Sequence, residues 1–488
     1  MNAAAQGNTG KGAGRIAYIA LLGTTALGTL SANVMNAPLY VIQTDLGMTT
    51  QQSVLAVSAF TMAMAMFVPL AGWLGDRLGT KTLLIWSLGV LILAGAAASQ
   101  ASGTEALIAA RAVQGAACSA IPPCVQAALV KLWPDRTAQT MGAWASAIGL
   151  GQAIGPLFGG VVTEALGWRS VFLSHAALVL VMILLLSMSM PPNGRQRPPM
   201  HRIAMFWLVV GAGSTAVGTV LIGQTTSWWW ILLSVGCGVF SWWLFARLSV
   251  RRARFAAENE GAPGPLLDPS LMNDQGYLRA AAAAGLAMGS MAVFIVAVPL
   301  FLASDLDLGP ASIGAIVFTM ALSMVITGPV AARLGRRRGV HVQLSHGIAI
   351  LGASGPVVAL AMCCSLLGVV RWAVLVLVVT GLVLAGTGIA FTQSAAATEI
   401  VLSTAGKSGT AVGVHNMIRF LSMAAGYSVV ALTYAVNAPL LLFPAVSLTA
   451  FALFAALRSA QRGRPGGPGL PGPSACHGLP HPANEDQP

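Results

Sequence analysis

Fourteen runs of about twenty apolar residues, separated by short polar breaks, dominate this chain, and such a run is what an α-helix needs to cross the hydrocarbon core of a bilayer. In lipid every main-chain N–H and C=O must find a partner within the span, so serial runs of this length predict an all-α, polytopic membrane protein. Spans are expected near residues 16 to 43, 53 to 75, 82 to 100, 105 to 130, 139 to 163, 169 to 190, 203 to 222, 228 to 248, 278 to 302, 311 to 333, 343 to 365, 372 to 396, 408 to 433 and 438 to 457. With 8% of residues charged and 56% hydrophobic, the chain has too little charge for the surface of a water-soluble globule.

Where the charges fall orients the helices. With the N-terminus inside, the inner loops carry Arg77, Lys81, Lys131, Arg136, Arg195, Arg197, Arg202, Arg247, Arg251, Arg252, Arg254, Arg279, Arg333, Arg336, Arg337, Arg338 and Lys407, while the outer loops carry mainly Asp45, Glu105, Glu164, Asp305 and Asp307. That asymmetry is the positive-inside pattern and predicts both termini on the cytoplasmic side of the cell membrane. It also accounts for the net charge of +12 without a nucleic-acid partner. The six cysteines show neither zinc-ligand nor disulfide-framework spacing, and His175, His346 and His415 fall on separate helices, so no metal is expected. An enzyme would need a nucleophile, a carboxylate pair or a metal cluster, and none is visible.

The expected organisation is a short cytoplasmic segment (1–15), a six-helix bundle (16–190), two additional spans (203–248), a cytoplasmic linker (249–277), a second six-helix bundle (278–457) and a Pro/Gly-rich disordered tail (458–488). The segment Gly328 to Arg337 follows the tenth span much as Gly72 to Lys81 follows the second, which points to an internal duplication. Two related bundles facing one another across a midplane site is a transporter plan.

Individual residues sharpen this. In Gly72-Trp73-Leu74-Gly75-Asp76-Arg77-Leu78-Gly79-Thr80-Lys81 the glycines permit a tight turn and close helix approach, and Asp76 can face a helix N-terminus or an arginine, so the segment reads either as an inner gate or as a solvated topogenic loop. Arg111 lies within the fourth span, where a cation costs at least about 2.5 kcal/mol without a partner, and Gln114 shares its face. The pair can meet a substrate or simply bond neighbouring carbonyls. Gly151, Gly155 and Gly159 form a small-residue stripe beside Pro156, expected as an interdomain hinge surface. His415 and Arg419 are four residues apart, with Asn416 alongside, and an imidazole there either carries a proton or is merely hydrogen-bonded.

These motifs together resemble the major facilitator superfamily, and within it the fourteen-helix drug:proton antiporters. The Gly72 to Lys81 segment is similar to that family's loop motif, Leu107-x3-Arg111-x2-Gln114-Gly115 to its fourth-helix motif, and Gly142-x8-Gly151-x3-Gly155-Pro156-x2-Gly159 to its antiporter motif. Gly167-Trp168-Arg169 and Pro265-Leu266-Leu267-Asp268 add to the likeness, which extends from Ile16 to about Leu457. The resemblance implies export of a small molecule, driven by the proton-motive force with no bound cofactor; an uptake symporter or facilitator of the same fold is the alternative. A monomer in the lipid bilayer is expected.

One departure matters. The family pattern Leu-Asp-x-Thr-x-x-Asn in the first helix reads here Leu30-Ser31-Ala32-Asn33-Val34-Met35-Asn36, with a serine in place of the acid. Every other carboxylate falls in a loop, at a helix end or in the tail. The candidate coupling and substrate residues are therefore Asn33, Asn36, Arg111, Gln114, His415, Asn416 and Arg419, a neutral to positive set suited to a neutral or anionic substrate. Expelling one negative charge from an inside-negative cell is favourable by about 2.3 kcal/mol per 100 mV.

Overall fold

The computed structural model describes residues 2–191, 202–223, 228–259, 274–402 and 409–462. The expected Pro265–Asp268 motif, Arg195, Arg197, Lys407 and residues 463–488 of the tail lie outside the described residues, as does the side chain of Asp76. Among the described residues the secondary structure is helical: α1 (Asn2–Asn33), α2 (Leu39–Asp45), α3 (Thr50–Leu78), α4 (Thr80–Ser99), α5 (Thr104–Cys118), α6 (Ile121–Leu132), α7 (Thr137–Leu166), α8 (Trp168–Ser189), α9 (Arg202–Gly223), α10 (Trp228–Glu258), α11 (Gln275–Ser304), α12 (Pro310–Arg338), α13 (Val340–Leu366), α14 (Arg371–Leu402), α15 (Gly409–Ala435) and α16 (Leu442–Arg462).

Among the described residues thirteen spans are long and apolar enough to cross a bilayer, and the stretch Pro439–Ala455 is a shorter fourteenth. The chain is a multi-pass membrane protein. Its lipid-facing surface is apolar, with Trp86, Leu93 and Met188 each more than two-thirds exposed, which only a bilayer tolerates across so many helices.

Two spans are not the single rods the apolar runs predict. The first breaks after Asn33 into a turn at 34–38, and α2 begins after Pro38, whose missing N–H and ring clash with the preceding turn do not continue a helix. The fourth breaks at Ser119–Ala120, and Pro122 and Pro123 sit in the first turn of α6, where their missing donors cost nothing. Elsewhere helices outrun expectation. Most of the presumed loop Gly72 to Lys81 is the last two turns of α3, and the turn itself is Gly79 at φ +90°, a conformation that favours glycine. α10 continues through Glu258 into the expected linker because Arg251 to Glu258 contains no glycine or proline. α16 runs past Leu457 to Arg462.

The internal repeat is explicit. α3 and α12 are both 29 residues long, one interval separates Pro69 from Pro329, Gly75 from Gly335 and Gly79 from Gly339, and Gly339 repeats the turn at φ +92°. In one bundle α1 packs on α7 and α8, α3 on α5, and α4 on α5 and α8. In the other α11 packs on α14 and α15, and α13 on α14 and α16. The bundles meet along α3–α15 and α7–α12, while α9 pairs with α10 and leans on both α3 and α15. α9 therefore covers one seam between the bundles.

Candidate substrate cavity

The break in α1 leaves main-chain oxygens facing the protein interior at membrane depth, where an unpartnered carbonyl is costly. Arg111 answers it. Its Nη1 donates to Ser31 O at 3.0 Å and to Gln114 Oε1 at 2.9 Å, its Nη2 reaches Ala32 O at 3.5 Å, and the guanidinium lies 4.5 Å from the Phe60 ring centroid. α5 comes close enough to α3 because residue 115 is glycine; a Cβ there would collide with Phe60 O. Arg111 is fully buried and Gln114 nearly so. The negative end of the α1 dipole and the Phe60 face supply what a counter-ion would. Of the two readings of Arg111, the geometry is that of a side chain bonded to neighbouring carbonyls. Asn33 donates to Thr29 O at 2.9 Å and Asn36 donates to Asn33 Oδ1 at 3.3 Å, so both asparagines help hold the same break.

Beside this knot lies a partly open cavity of about 70 Å³, or about 650 Å³ when the open solvent at its mouth is included, walled by α1, α3, α5, α6, α7, α11 and α15. Met64, Ile121, Trp144, Ile148, Met288 and Phe420 give it an apolar wall, and Thr25, Thr29, Asn33, Gln152 and Asn416 give it uncharged polar groups. Arg419 is the charged residue among the lining side chains. Its Nη2 donates to Gln393 Oε1 at 2.7 Å, its Nη1 donates to Asn416 Oδ1 at 3.1 Å, and Gln393 Nε2 in turn lies 3.1 Å from Met288 Sδ. Arg419 Nε is buried without a hydrogen-bond partner.

Of the residues singled out from sequence, the structure brings Asn33, Asn416 and Arg419 into this cavity. Arg111, Gln114, Asn36 and His415 do not line it. His415 and Arg419, four residues apart, diverge: His415 is 6% exposed and its Nδ1 has no hydrogen-bond partner among the described residues. His175 Nε2 is paired with Leu27 O at 3.1 Å, and His346 Nδ1 with Val342 O of its own helix at 2.7 Å. The cavity also contains Gln152 and Trp144, with Gln393 behind Arg419. The signal for both glutamines was a long polar side chain inside an otherwise apolar run.

Toward α2 the cavity is sealed. Leu30, Val34, Met35, Leu39 and Ile42 of the first span form one buried cluster with Met291, Phe294 and Phe301 of α11. On the same face Glu164 Oε2 accepts from Ala311 N at 3.0 Å, a carboxylate from one bundle on the N-terminus of a helix from the other. The close approach of α7 to α12 needs Gly160 and Gly314, since Cβ atoms there would strike Pro310 O and Pro156 O. The stripe Gly151, Gly155 and Gly159, expected across the interface, instead faces α1 within its own bundle, against Ala26 O, Asn33 and Val34 O. The reason is helical geometry: residues four apart share a face, and Gly160 and the Pro156 carbonyl lie off that face. Gly142 belongs to the first turns of α7, and its surroundings lie outside the described residues.

On the opposite face Lys81 Nζ donates to Ser187 O at 2.8 Å and Met190 O at 2.5 Å, capping α8. A Cβ on Gly75 would lie 3.0 Å from Cys124 Sγ and one on Gly72 3.9 Å from Pro123, so the end of α3 nests on α6. Arg77 is exposed, 5.1 Å from the Trp73 ring centroid.

Two discontinuous spans, a two-bundle interior cavity and one sealed face define a transporter. Residues 19–202 and 200–427 match the model of the Major Facilitator Superfamily, and the chain belongs to that family. It is similar to the methylenomycin A resistance protein of Streptomyces coelicolor, 36% identical over 149 residues, which is 30% of this chain and 31% of that protein; the chain thus matches less than a third of that relative's length. It is 26% identical to the probable actinorhodin transporter of the same organism over 84% of this chain and 70% of that one. A solved POT family transporter in complex with 5-aminolevulinic acid has the same fold, with a TM-score of 0.67 at 14% identity over 92% of this chain and 96% of that one.

Proposed function

We propose that this transporter exports a small molecule, an antibiotic or related specialised metabolite of neutral or anionic character, across the cytoplasmic membrane by alternating access powered by the proton-motive force. The observation that carries this reading is the cavity itself: partly open, set between two bundles, apolar in its walls, and lined by a cation with no carboxylate among the described lining residues. A lipophilic cation finds no counter-charge in such a site, whereas a neutral molecule needs none and a negative one is met by Arg419. The relatives named for methylenomycin resistance and for actinorhodin support export of a microbial product.

In this reading the face bearing the α3–α4 turn is cytoplasmic, as the arginine-rich helix ends favour. The conformation, sealed toward α2, is the inward one that loads substrate. Gly72, Gly75, Asp76, Arg77, Gly79 and Lys81 form the hinge that closes behind the substrate, and the chain works as a monomer without a bound cofactor. The test is the direction of flux in inverted membrane vesicles energised by respiration. Accumulation of substrate in the lumen supports export, and energised depletion from preloaded vesicles assigns uptake.

A further inference from the structure

Two arginines are enclosed by these bundles, and their surroundings differ in one decisive way. Arg111 is held by the main-chain oxygens of Ser31 and Ala32 and turned away from the cavity. Arg419 faces the cavity, and its hydrogen-bond partners are side chains that carry no charge: the amide oxygens of Gln393 and Asn416, with Met288 Sδ at 3.8 Å. The ion pair Arg169–Asp45 lies elsewhere, on the α2 face. A guanidinium in an apolar chamber, paired with neutral groups and with Nε unsatisfied, is under-compensated.

We propose that Arg419 is the recognition residue for a carboxylate-bearing substrate, which draws the guanidinium away from the Gln393 amide behind it, and that the carboxylate is completed by donors from Asn416 and Gln152. This rests on the exporter reading and narrows its substrate to a monoanion with an apolar body. The planar fork of Arg419 suits a carboxylate held by two parallel hydrogen bonds. Gln393 is a neutral placeholder: its oxygen accepts from the guanidinium when the cavity is empty, yet it yields to a carboxylate, which adds opposite charge and a second parallel hydrogen bond that a single amide oxygen lacks. Asn416 and Gln152 can present N–H groups by turning their amides, and Trp144, Met64 and Phe420 bury the apolar remainder.

An energetic consequence follows. The empty cavity carries one positive charge and the loaded cavity is neutral, so membrane potential acts on the return of the empty carrier, and an inside-negative potential drives that return toward the cytoplasmic side. Export of the anion is then coupled to voltage, with no titrating carboxylate in the cavity.

The experiment uses purified full-length protein and three matched aromatic probe series, carboxylate, carboxamide and alkylammonium on the same naphthyl and biphenyl bodies. Binding is read by quenching of tryptophan fluorescence, with Trp144→Phe identifying the cavity signal. The carboxylates are expected to bind at least about tenfold more tightly than the other two series, and Arg419→Gln to remove that preference while leaving carboxamide binding within about twofold. Gln393→Glu supplies the anion internally and is expected to abolish carboxylate preference with Arg419 still present, whereas Gln393→Leu is expected to retain it. Retained thermal stability of Gln393→Glu separates lost recognition from misfolding. Equal binding of the three series, preference for ammonium, or an Arg419→Gln variant that still prefers carboxylates would overturn the proposal. In proteoliposomes the same carboxylates are expected to respond to an imposed potential and not to an imposed pH gradient at zero potential; the reverse overturns the voltage coupling. Carboxylate preference in binding with flux in the uptake direction would retain Arg419 as the recognition residue and reject export instead.

Discussion

Arg111 Nη1 lies 3.0 Å from the main-chain oxygen of Ser31, the position in the first span where the resemblance to drug:proton antiporters leads one to expect an acid. A side-chain carboxylate is replaced there by a helix end: the carbonyls exposed by the break in α1 become the arginine's acceptors, and the arginine becomes the cap that lets α1 break inside a membrane. Each solves the other's desolvation problem.

Removing that cap should cost stability before it costs recognition. Arg111→Ala leaves buried carbonyls at Ser31 and Ala32 and an unpaired Gln114, a loss of roughly 3 kcal/mol or more at about 1–3 kcal/mol for each unsatisfied group. The expected outcome is a melting temperature lowered by several degrees in detergent, with probe affinity of the folded fraction nearly unchanged. Arg111→Lys should recover part of the loss, since one ammonium can reach one carbonyl.

The contact between Glu164 and Ala311 N joins the two bundles on the α2 face and must part when that face opens. A carboxylate at a helix N-terminus contributes about 0.3–1 kcal/mol, so Glu164→Ala should shift the balance between closed and open forms by about two- to fivefold toward opening at α2. Thiol labelling of cysteines placed on that face should speed up accordingly.

Gly314 tests the same closure sterically. Its Cβ position lies 2.6 Å from Pro156 O, too near for any side chain. Gly314→Val should hold the bundles apart there, giving a folded protein that labels readily on the α2 face and transports at under a tenth of the normal rate.

At the surface, Asp45 accepts from Trp168 Nε1 at 2.9 Å and from Arg169 Nη1 at 2.8 Å. The indole hydrogen bond first, and the guanidinium second, hold its carboxyl below the usual range near 3.8. A carboxyl with a lowered folded-state pKa contributes stability above its unfolded value and loses it as pH falls through the folded one. The stability gap between wild type and Asp45→Asn should therefore be flat above about pH 5 and close below about pH 4. Melting curves at pH 7, 5 and 3.5 check it.

The span count, the membrane-embedded class and the internal repeat were legible because they depend on local quantities: run length, charge at the ends of runs, and the return after the tenth span, at Gly328 to Arg337, of a segment like Gly72 to Lys81. Side-chain spacing was a poorer guide to the site. His415 and Arg419 share a helical interval, yet one lines the cavity and the other is buried beside it. The three-glycine stripe announced a close helix approach, and α1, not the opposite bundle, makes it.

The linear order of residues determined that this chain must live in a bilayer as two repeated sets of helices, because hydrocarbon permits nothing else for such runs. Tertiary packing alone decided which arginine caps a broken helix and which stands in the cavity. That choice depends on where α1 breaks and on which neighbours reach the exposed carbonyls, and Arg111 and Ser31, eighty positions apart, meet only once the bundle has formed.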